Sequence, residues 1–405
     1  MKILHVVDYL MPTMGYQEFI LPKFNAVNKN NHVSIITGNK FYPVPNYNNT
    51  WKKFLGERSF APKIQKLNRV KIIRNKILFE IATRPWILNL ERDVKNLMPD
   101  IIMCHGTASF SSIRSILIAK KLKIPIFLDN HMILSVTKKN FLGKVYYFLI
   151  KNFVSKFIEK NSNIIFGVTK ETCKYLIDKE GYSKSKVKLL SLGTDSRIFY
   201  PKKSNKIKNK IRVIQTGKLN SDKRPDLLAQ AIILLIDKGF DIELIYYGSG
   251  ELKNINYIKS LFSQKGYAFR LKFRGIQKYK KLGNIYRNAD VVVFPYGTSL
   301  SAIDASFCGT PVVMTNDIAS KEKKNDGIGI CYNSGNVQDL AKKIKYCIKN
   351  KSKFKLKKST FNKIKKKYDY EYISEIFLKY CNQEINIFKK KNLFNENQVQ
   401  KKGFE

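Results

Sequence analysis

The fold is constrained most strongly by residues 291–313, which read VVVFPYGTSLSAIDASFCGTPVV. Val291–Phe294 is a short apolar run of β-branched and aromatic residues, which is typical of a strand buried on both faces. A helix should follow, because hydroxyl residues that favour helix N-termini come next and Gly309 with Pro311 ends the helical pattern. Strand, tight turn, helix and strand together form the building unit of a doubly wound parallel sheet.

The turn inside this unit is a candidate ligand site. In a doubly wound sheet it lies at the carboxyl end of a strand, where free N–H groups of the new helix can bind a phosphate. Asp304 falls one turn into the helix, where its carboxylate can accept hydrogen bonds from sugar hydroxyls. The alternative is an ordinary buried element in which Asp304 only interacts favourably with the helix dipole. This segment alone supports both interpretations.

Strand and helix patterns alternate along most of the 405 residues, and this length predicts two domains. We predict an N-terminal domain over 1–200, a polar and basic linker over 201–210, and a second domain over 211–368. A helix over 369–390 should cross back to the first domain, and 391–405 should form a basic tail. The expected fold class is α/β, with two Rossmann-like, doubly wound domains that face each other across a ligand-binding cleft.

Charge and cysteine usage narrow the class of protein. Lys and Arg number 75 against 31 Asp and Glu, a net charge of +44 that attracts polyanions. The lysines are spread along the chain, which favours a compositional bias with membrane attraction as its consequence. Nucleic-acid binding is disfavoured, since no reader motif is present. The six cysteines form no CxxC pair, so we expect free thiols and no zinc site.

The sequence predicts a cytoplasmic protein, either soluble or peripheral on the inner face of the cell membrane. No apolar run reaches the roughly 18 residues of a membrane span. The segment 141–160, which begins with Phe141 and ends with Lys160, is basic and aromatic, with an apolar stripe at helical spacing. Such a helix can lie on an anionic membrane surface. A helix that packs against a core has the same stripe, so this alternative stays open.

Two lysines follow the first strand of the predicted second domain. Gly217 and Lys218 come directly after that strand, and Lys223 follows a few residues later. Both ammonium groups can point towards the helix N-terminus near Gly297, and together they can bind a nucleotide diphosphate and stabilise it as a leaving group. The alternative is two solvated lysines in a lysine-rich protein.

The chain has only four histidines. His5 lies inside a predicted strand and should be packed, and His32 should lie on a turn. His105 and His131 each follow a strand of the first domain, a position from which side chains reach a cleft. His131 can donate a hydrogen bond to a hydroxyl or move a proton, and a purely structural role is the alternative.

With these pieces in order, the chain resembles the family-four retaining glycosyltransferases of the GT-B fold, which belong to the group 1 glycosyltransferases. The resemblance covers residues 1 to about 388. It is carried by GKLNSDKRPDLLAQAI (217–232), NADVVVFP (288–295) and DASFCGTPVV (304–313), with support from SLGTDSRIFYP (191–201) and GIGICYNSGN (327–336).

The resemblance implies that the second domain holds a nucleotide-sugar donor. Lys218, where the family has Arg, and Lys223 would contact the diphosphate. Asp304 stands at the second Glu of the family's E-x7-E motif, which bonds the ribose, and Tyr296 replaces the first Glu, which usually bonds the transferred sugar. Further donor contacts are implied for Gly217 and for the turn amides of Gly297, Thr298, Ser299 and Leu300.

On the acceptor side, His131 resembles the family histidine that contacts the reacting sugars. Gly15 resembles one glycine of the N-terminal loop, although the usual paired glycines are missing, and His105 completes the predicted acceptor set. By resemblance the reaction is a front-face substitution that retains anomeric configuration. It needs no protein nucleophile, metal or other cofactor, and the donor is a UDP- or GDP-linked sugar.

These features predict a hexosyltransferase that extends a cell-surface glycan, lipid-linked in one version of the hypothesis. Within the enzymes, the alternatives are a sugar-nucleotide epimerase or a phosphorylase. Outside them, the alternative is a catalytically silent protein that binds a nucleotide sugar or glycan, which the residues Tyr296 and Asp304 motivate. No specific nucleic-acid partner is expected.

Overall fold

The computed structural model describes residues 1–44, 46–81, 83–131, 150–201, 210–297, 299–354 and 358–402. The chain divides into two compact units, one formed by Met1–Leu192 with Tyr370–Glu405 and the other by Gly193–Asp369. Each unit has a mostly parallel sheet with helices, which confirms the predicted α/β class. Most of the predicted linker lies outside the described residues.

The first unit is built on an eight-stranded sheet. In spatial order its strands are β10 (Val187–Leu189), β9 (Ile164–Gly167), β8 (Ile126–Asn130), β7 (Ile101–His105), β1 (Lys2–Val7), β2 (His32–Gly38), β4 (Val70–Asn75) and β3 (Lys63–Leu67). Neighbouring strands are parallel except β3 and β4. A separate antiparallel hairpin joins β5 (Ile77–Ile81) to β6 (Arg84–Ile87). The central strands β8, β7 and β1 end side by side, and the polar residues of a candidate site lie at this edge of the sheet.

Helices connect these strands. They are α1 (Gln17–Asn25), α2 (Tyr47–Thr50), α3 (Lys52–Leu55), α4 (Leu90–Leu97), α5 (Phe110–Leu122), α6 (Lys156–Asn161), α7 (Lys170–Asp178) and, after the second unit, α15 (Tyr370–Lys402). A π-helical turn, Ile150–Ser155, precedes α6. The Thr169 hydroxyl caps α7 by accepting a hydrogen bond from the Thr172 N–H at 3.0 Å.

Some elements of this unit were not evident from the sequence. They are α2 and α3 within residues 38–63, and the four strands β3 to β6 with α4 that follow. The strand β3 is an edge strand with mostly exposed residues, so its apolar alternation is weak. The predicted tail over 391–405 is helical as far as Lys402.

The second unit has a six-stranded parallel sheet. In spatial order its strands are β13 (Leu271–Phe273), β12 (Ile242–Tyr247), β11 (Ile211–Thr216), β14 (Val291–Phe294), β15 (Val312–Thr315) and β16 (Ile330–Tyr332). Its helices are α8 (Pro225–Asp237), α9 (Leu252–Gln264), α10 (Tyr279–Arg287), α11 (Ser301–Phe307), α12 (Ile318–Asn325), α13 (Val337–Lys349) and α14 (Lys358–Tyr368). Every residue of β14 is buried, as its apolar run predicts.

The second unit begins before the boundary predicted at residue 200. The Thr194 N–H donates to the Tyr368 carbonyl at 2.7 Å, and the Phe199 ring packs edge-on against Tyr279 with centroids 5.1 Å apart. Residues 193–200 therefore fold with the second unit, because that is where their hydrogen bonds and ring contacts are made.

Candidate functional site

The two predicted donor-binding turns lie beside each other because their strands pair. Strand β11 leads into Gly217, and β14 leads into the turn at Gly297. The two strands are parallel neighbours, with Val213 opposite Val291. The chain order reverses at this point of the sheet, since β12 and β13 lie to one side of β11 and β14 to β16 lie to the other. Such a switch point is where ligands bind in open α/β sheets.

Lys223 lies over the turn that follows β14. It ends the short 3-10 helix Ser221–Lys223, and its Nζ atom lies 3.4 Å from the Gly297 carbonyl oxygen. Gly297 has φ of +63°, and a Cβ atom added there would lie 2.7 Å from Lys223 Nζ. The backbone conformation of the turn therefore favours glycine, and a larger residue would also displace the Lys223 ammonium group from its present position.

Lys218 is exposed at the neighbouring turn and makes no hydrogen bond or ion pair with any residue that the structure describes. The turn itself is held firmly. The Gly217 N–H donates to the Tyr247 carbonyl at 2.9 Å, and the Gly217 carbonyl packs so closely on Gly248 that a Cβ atom there would clash with it. The backbone is therefore fixed while the lysine side chain remains free to meet a ligand.

The turn before α11 presents polar groups to solvent. Ser299 Oγ accepts a hydrogen bond from the Ser301 N–H at 3.2 Å, and Leu300 is the residue before the first helical position. Tyr296 exposes 51% of its surface. The Tyr332 hydroxyl donates to the Pro295 carbonyl at 2.5 Å and fixes the start of the turn. Thr298 lies outside the described residues.

Asp304 lies inside the unit, with 3% of its surface exposed. The Thr194 hydroxyl donates to its Oδ1 atom at 2.5 Å. Burial raises the pKa of Asp304 from 3.8 to about 8; the Thr194 hydrogen bond opposes this rise and the charge of Asp195 adds to it. The carboxyl group is thus engaged within the unit, and its contact with a donor ribose stays a prediction.

Thr194 is a partner that sequence analysis did not single out. It belongs to the SLGTDSRIFYP segment, which was recognised as a motif but not assigned a role. A buried carboxyl group needs a hydrogen-bond donor. Thr194 and Asp304 are far apart in the sequence, so only the folded structure shows that Thr194 is that donor.

In the first unit, the polar residues cluster where β7 and β8 end. His105 lies opposite Asp129 in the sheet, and its Nδ1 atom is 2.8 Å from Asp129 Oδ2. The Gly106 N–H donates to Asp129 Oδ1 at 2.9 Å. Asp129 is 0% exposed. Burial alone would raise the pKa of Asp129, but the adjacent rings of His105 and His131 hold it well below its usual range.

His131 continues this cluster towards solvent. Its side chain is 39% exposed, and its Nε2 atom lies 3.6 Å from Asp129 Oδ1. Burial would lower the pKa of His131, but the Asp129 carboxylate outweighs it and raises the pKa from 6.5 to about 9, with a smaller contribution from Glu18. The raised pKa favours the protonated ring at neutral pH.

The other acceptor-side predictions have mixed outcomes. His5 is fully buried, as predicted. The His105 side chain is only 2% exposed and packs between His5 and Asp129, so little of it reaches solvent. Gly15 is buried in the loop before α1 and has φ of +76°, a conformation that favours glycine.

A cavity of about 270 Å³ opens at this end of the first unit. Asp8, which follows β1, lines it together with Arg84, Ser109, His105 and His131. Burial raises the pKa of Asp8 from 3.8 to about 6, and the nearby hydroxyl groups of Ser111 and Ser109 oppose the rise. Sequence analysis missed Asp8, although it stands at the end of a strand just as the two histidines do. The same strand-end rule would have found it.

The cysteines and the other possible metal ligands form no special site among the described residues. All six cysteines are free thiols, as predicted. Within the ranges that the structure describes, no group of three or more His, Cys, Asp or Glu side chains could hold a metal ion.

The predicted membrane segment is only partly described. Residues 132–149, which include the first half of the segment 141–160, lie outside the described ranges. In its second half, Phe153 exposes 67% of its surface while Ile158 is buried. No helix among the described residues is long and apolar enough to cross a membrane.

Comparison with known proteins supports a glycosyltransferase domain in the second unit. Residues 210–350 match the family described as Glycosyl transferases group 1. The chain is 30% identical over 156 residues to a D-inositol 3-phosphate glycosyltransferase of Mycobacteroides abscessus, covering 36% of this chain and 35% of that protein. A protein of the same name from Rhodococcus opacus is 33% identical over 29% of this chain and 27% of its own length. The chain thus spans about a third of these relatives.

Solved structures resemble nearly the whole chain. A crystal structure of Anabaena HepE in complex with UDP has a TM-score of 0.67 at 15% identity, covering 95% of this chain and 100% of HepE. Sucrose-phosphate synthase from Thermosynechococcus elongatus has a TM-score of 0.69 at 16% identity, covering 96% and 100%. The chain therefore has the GT-B fold of these proteins and carries, over residues 210–350, a domain that matches the Glycosyl transferases group 1 family.

Proposed function

We propose that the protein is a glycosyltransferase that moves a sugar from a nucleotide diphosphate donor to a glycan acceptor. The position of Lys223 carries this proposal, because its ammonium group lies over the Gly297 turn at the sheet's switch point. Together with exposed Lys218, it supplies the positive charge that a diphosphate needs for binding and for leaving. The match of residues 210–350 to the Glycosyl transferases group 1 family supports the same assignment.

The finer chemistry follows from the resemblance described above. We propose a UDP- or GDP-linked hexose as donor, and the UDP bound to the similar HepE structure favours UDP as the first choice. The acceptor hydroxyl would attack on the face that the phosphate leaves, and a phosphate oxygen would take its proton, so that configuration is retained. Lys218 and Lys223 would balance the growing negative charge, and the proposal assigns no step to a metal ion.

We assign the acceptor to the first unit, at the cavity lined by Asp8 and His131. Carboxylate, hydroxyl and imidazole groups in one polar cavity are suited to sugar hydroxyls. A cell-surface glycan, lipid-linked or free, is the acceptor class we propose. The net charge of +44 and the exposed ring of Phe153 support attachment to the inner face of an anionic membrane.

A second candidate is a silent protein that binds a nucleotide sugar without transferring it. Two observations favour it. Tyr296 stands where the resembling family has a Glu that bonds the transferred sugar, and the carboxyl group of Asp304 is engaged by Thr194. Both proposals share the diphosphate site and differ only in turnover.

Calorimetric titration with UDP and GDP, followed by donor hydrolysis assays in the presence of EDTA, tests these proposals. We expect Lys223→Ala to weaken binding of the preferred nucleotide by about 10-fold or more, since a charge-assisted contact contributes roughly 1.5–3 kcal/mol. Lys218→Ala should weaken it in the same direction. Slow hydrolysis of the matching nucleotide sugar by the wild-type protein would favour the transferase.

Lys342→Ala is the matched control. It removes the same charge from an exposed position of α13, away from both turns, and should leave affinity unchanged. Binding that Lys223→Ala does not weaken would contradict the diphosphate site. Tight binding without hydrolysis or transfer across a panel of UDP- and GDP-linked sugars would select the silent binder.

A further inference from the structure

A line of polar side chains crosses the interior of the first unit. The Ser374 Oγ atom in α15 lies 2.6 Å from Asn25 Oδ1, and Asn25 Nδ2 lies 3.2 Å from His5 Nε2. His5 Nδ1 then lies 3.0 Å from His105 Nε2, with the two rings stacked. All four side chains are buried. We name this set, formed by Ser374, Asn25, His5 and His105, the buried relay.

The buried relay ends on Asp129. His105 Nδ1 lies 2.8 Å from Asp129 Oδ2, and the other carboxylate oxygen faces the Gly106 N–H and the His131 ring. No other described acid faces these rings as closely. Glu18 of α1 adds a weaker charge near His131, and Asp8 and Arg84 line the same cavity as His131.

The exposure of each histidine side chain indicates which ring in this cluster carries the positive charge. One carboxylate can balance one imidazolium, and charging a buried ring costs far more than charging one that reaches water. His131 is 39% exposed and His105 is 2% exposed, so the positive charge belongs on His131. Burial also holds the pKa of His5 well below its ordinary value, which leaves that ring neutral.

The direction of each hydrogen bond then follows from the carboxylate. An ionised carboxylate only accepts, so a neutral His105 donates through Nδ1–H and must accept at Nε2. His5 therefore donates to it through Nδ1–H and accepts at its own Nε2. Asn25 supplies that donor from its amide nitrogen, and its oxygen accepts from the Ser374 hydroxyl. Every donor in the buried relay points towards Asp129.

We propose that the buried relay holds Asp129 ionised and oriented, so that His131 acts as an imidazolium that donates a hydrogen bond and not as a base that accepts a proton. The His131 Nε2–H faces Asp129, which leaves Nδ1–H to donate to a hydroxyl or phosphate oxygen in the cavity. The members of the buried relay are positioning residues, since they act through Asp129. The use of this donor rests on the proposed transferase function, but the relay itself does not.

Imidazole ¹⁵N NMR of the ligand-free full-length protein tests the proposal without any assay of transfer. The chain has only four histidines, and exposed His32 at the start of β2 serves as an internal reference. We expect the proton on Nδ1 in both His5 and His105, and both nitrogens protonated in His131 at pH 7. A proton on Nε2 of His5 or of His105, or a neutral His131, would overturn the proposal.

Asp129→Asn provides the second measurement. Loss of the carboxylate should lower the pKa of His131 by about one unit or more, as expected when an adjacent opposite charge is removed. Ser374→Ala, at the far end of the relay, removes the hydroxyl that donates to Asn25 and should lower that pKa by less than Asp129→Asn does. Ser260→Ala, at an exposed position of α9 in the second unit, is the control and should leave the pKa at its wild-type value. An unchanged pKa in Asp129→Asn, or no difference between Ser374→Ala and Ser260→Ala, would contradict the proposal. An inactive protein with the expected signals would refute the transferase alone.

Discussion

The two units each bury an aspartate near the end of their sheet, and the two carboxyl groups behave in opposite ways. Asp129 in the first unit is 0% exposed and Asp304 in the second is 3% exposed. The pKa of Asp129 lies well below its usual range, whereas that of Asp304 is raised to about 8. Burial, the largest influence on each, acts in the same direction in both. Burial therefore does not explain the difference.

The difference lies in the partners. Asp129 faces His105, the Gly106 N–H and the cationic ring of His131. Asp304 has the Thr194 hydroxyl, and the second acid Asp195 stands close enough to disfavour its charge. A buried acid is thus kept ionised by the number and charge of its donors. The first unit thus has a charged anchor, Asp129, whereas the raised pKa of Asp304 in the second unit favours its protonated form at pH 7.

The largest expected effect comes from removing the charged anchor. Asp129→Ala leaves the donors of His105 and Gly106 and the charge of His131 without their acceptor, and breaking such a buried pair typically costs about 3–5 kcal/mol. We expect a corresponding fall in the midpoint of thermal unfolding at pH 7. Asp304→Asn is the matched variant in the other unit, and it should change stability by less than about 1 kcal/mol, since Asn preserves the acceptor for Thr194. Equal losses in the two variants would remove the distinction between these acids.

The second largest expected effect is the pH dependence of folding stability that Asp304 causes. The pKa of Asp304 is about 8 in the folded state and 3.8 ordinarily. Between pH 3.8 and pH 8 the folded state therefore binds a proton that the unfolded state has lost, and the free energy of unfolding falls as pH rises through this range. The variant Asp304→Asn has no such loss. Relative to wild type it should gain about 2 kcal/mol or more between pH 5 and pH 8, measured by urea denaturation.

Asp129 should change stability with pH in the opposite direction, and it serves as the reference for that measurement. Because its folded pKa is lowered, its contribution is present above the unfolded value and is lost as pH falls towards the folded one. Asp129→Asn should therefore lose most relative to wild type at neutral pH and least in acid. A difference between Asp304→Asn and wild type that stays constant from pH 5 to pH 8 would show that Asp304 is ionised, as Asp129 is.

The smallest expected effect concerns Thr194. Thr194→Val keeps the shape but removes the donor to Asp304, and loss of one hydrogen bond should cost about 1 kcal/mol at pH 7. A double-mutant cycle with Asp304→Ala, which removes the acceptor that Asn would keep, isolates the coupling of the two side chains when it is read by thermal unfolding. A coupling energy of zero would mean that the bond does not contribute. Thr360→Val, a partly exposed position in α14, is a control for the same change of residue type.

Local sequence patterns located much of this fold. The apolar run Val291–Phe294 predicted a buried strand, and the hydroxyl residues after it predicted a helix; both are present. Strand-end position also directed attention to Lys223 and His131, because a residue just after a parallel strand lies at the edge where ligands bind. By contrast, the exposed edge strand β3 has too little apolar alternation to be recognised.

The sequence by itself determined the α/β class and the residue types at the strand ends, because apolar periodicity and turn chemistry are local properties. Only the tertiary structure decided which of these residues meet and which carry charge. His105 could be placed at the end of a strand, but its position between His5 and Asp129 depends on the pairing of β1, β7 and β8. Asp304 could be read as a sugar ligand, yet its pKa is raised by burial and by Asp195, and its hydrogen-bond donor is Thr194 from a distant segment. Charge depends on partners in space, and those partners lie far away along the chain.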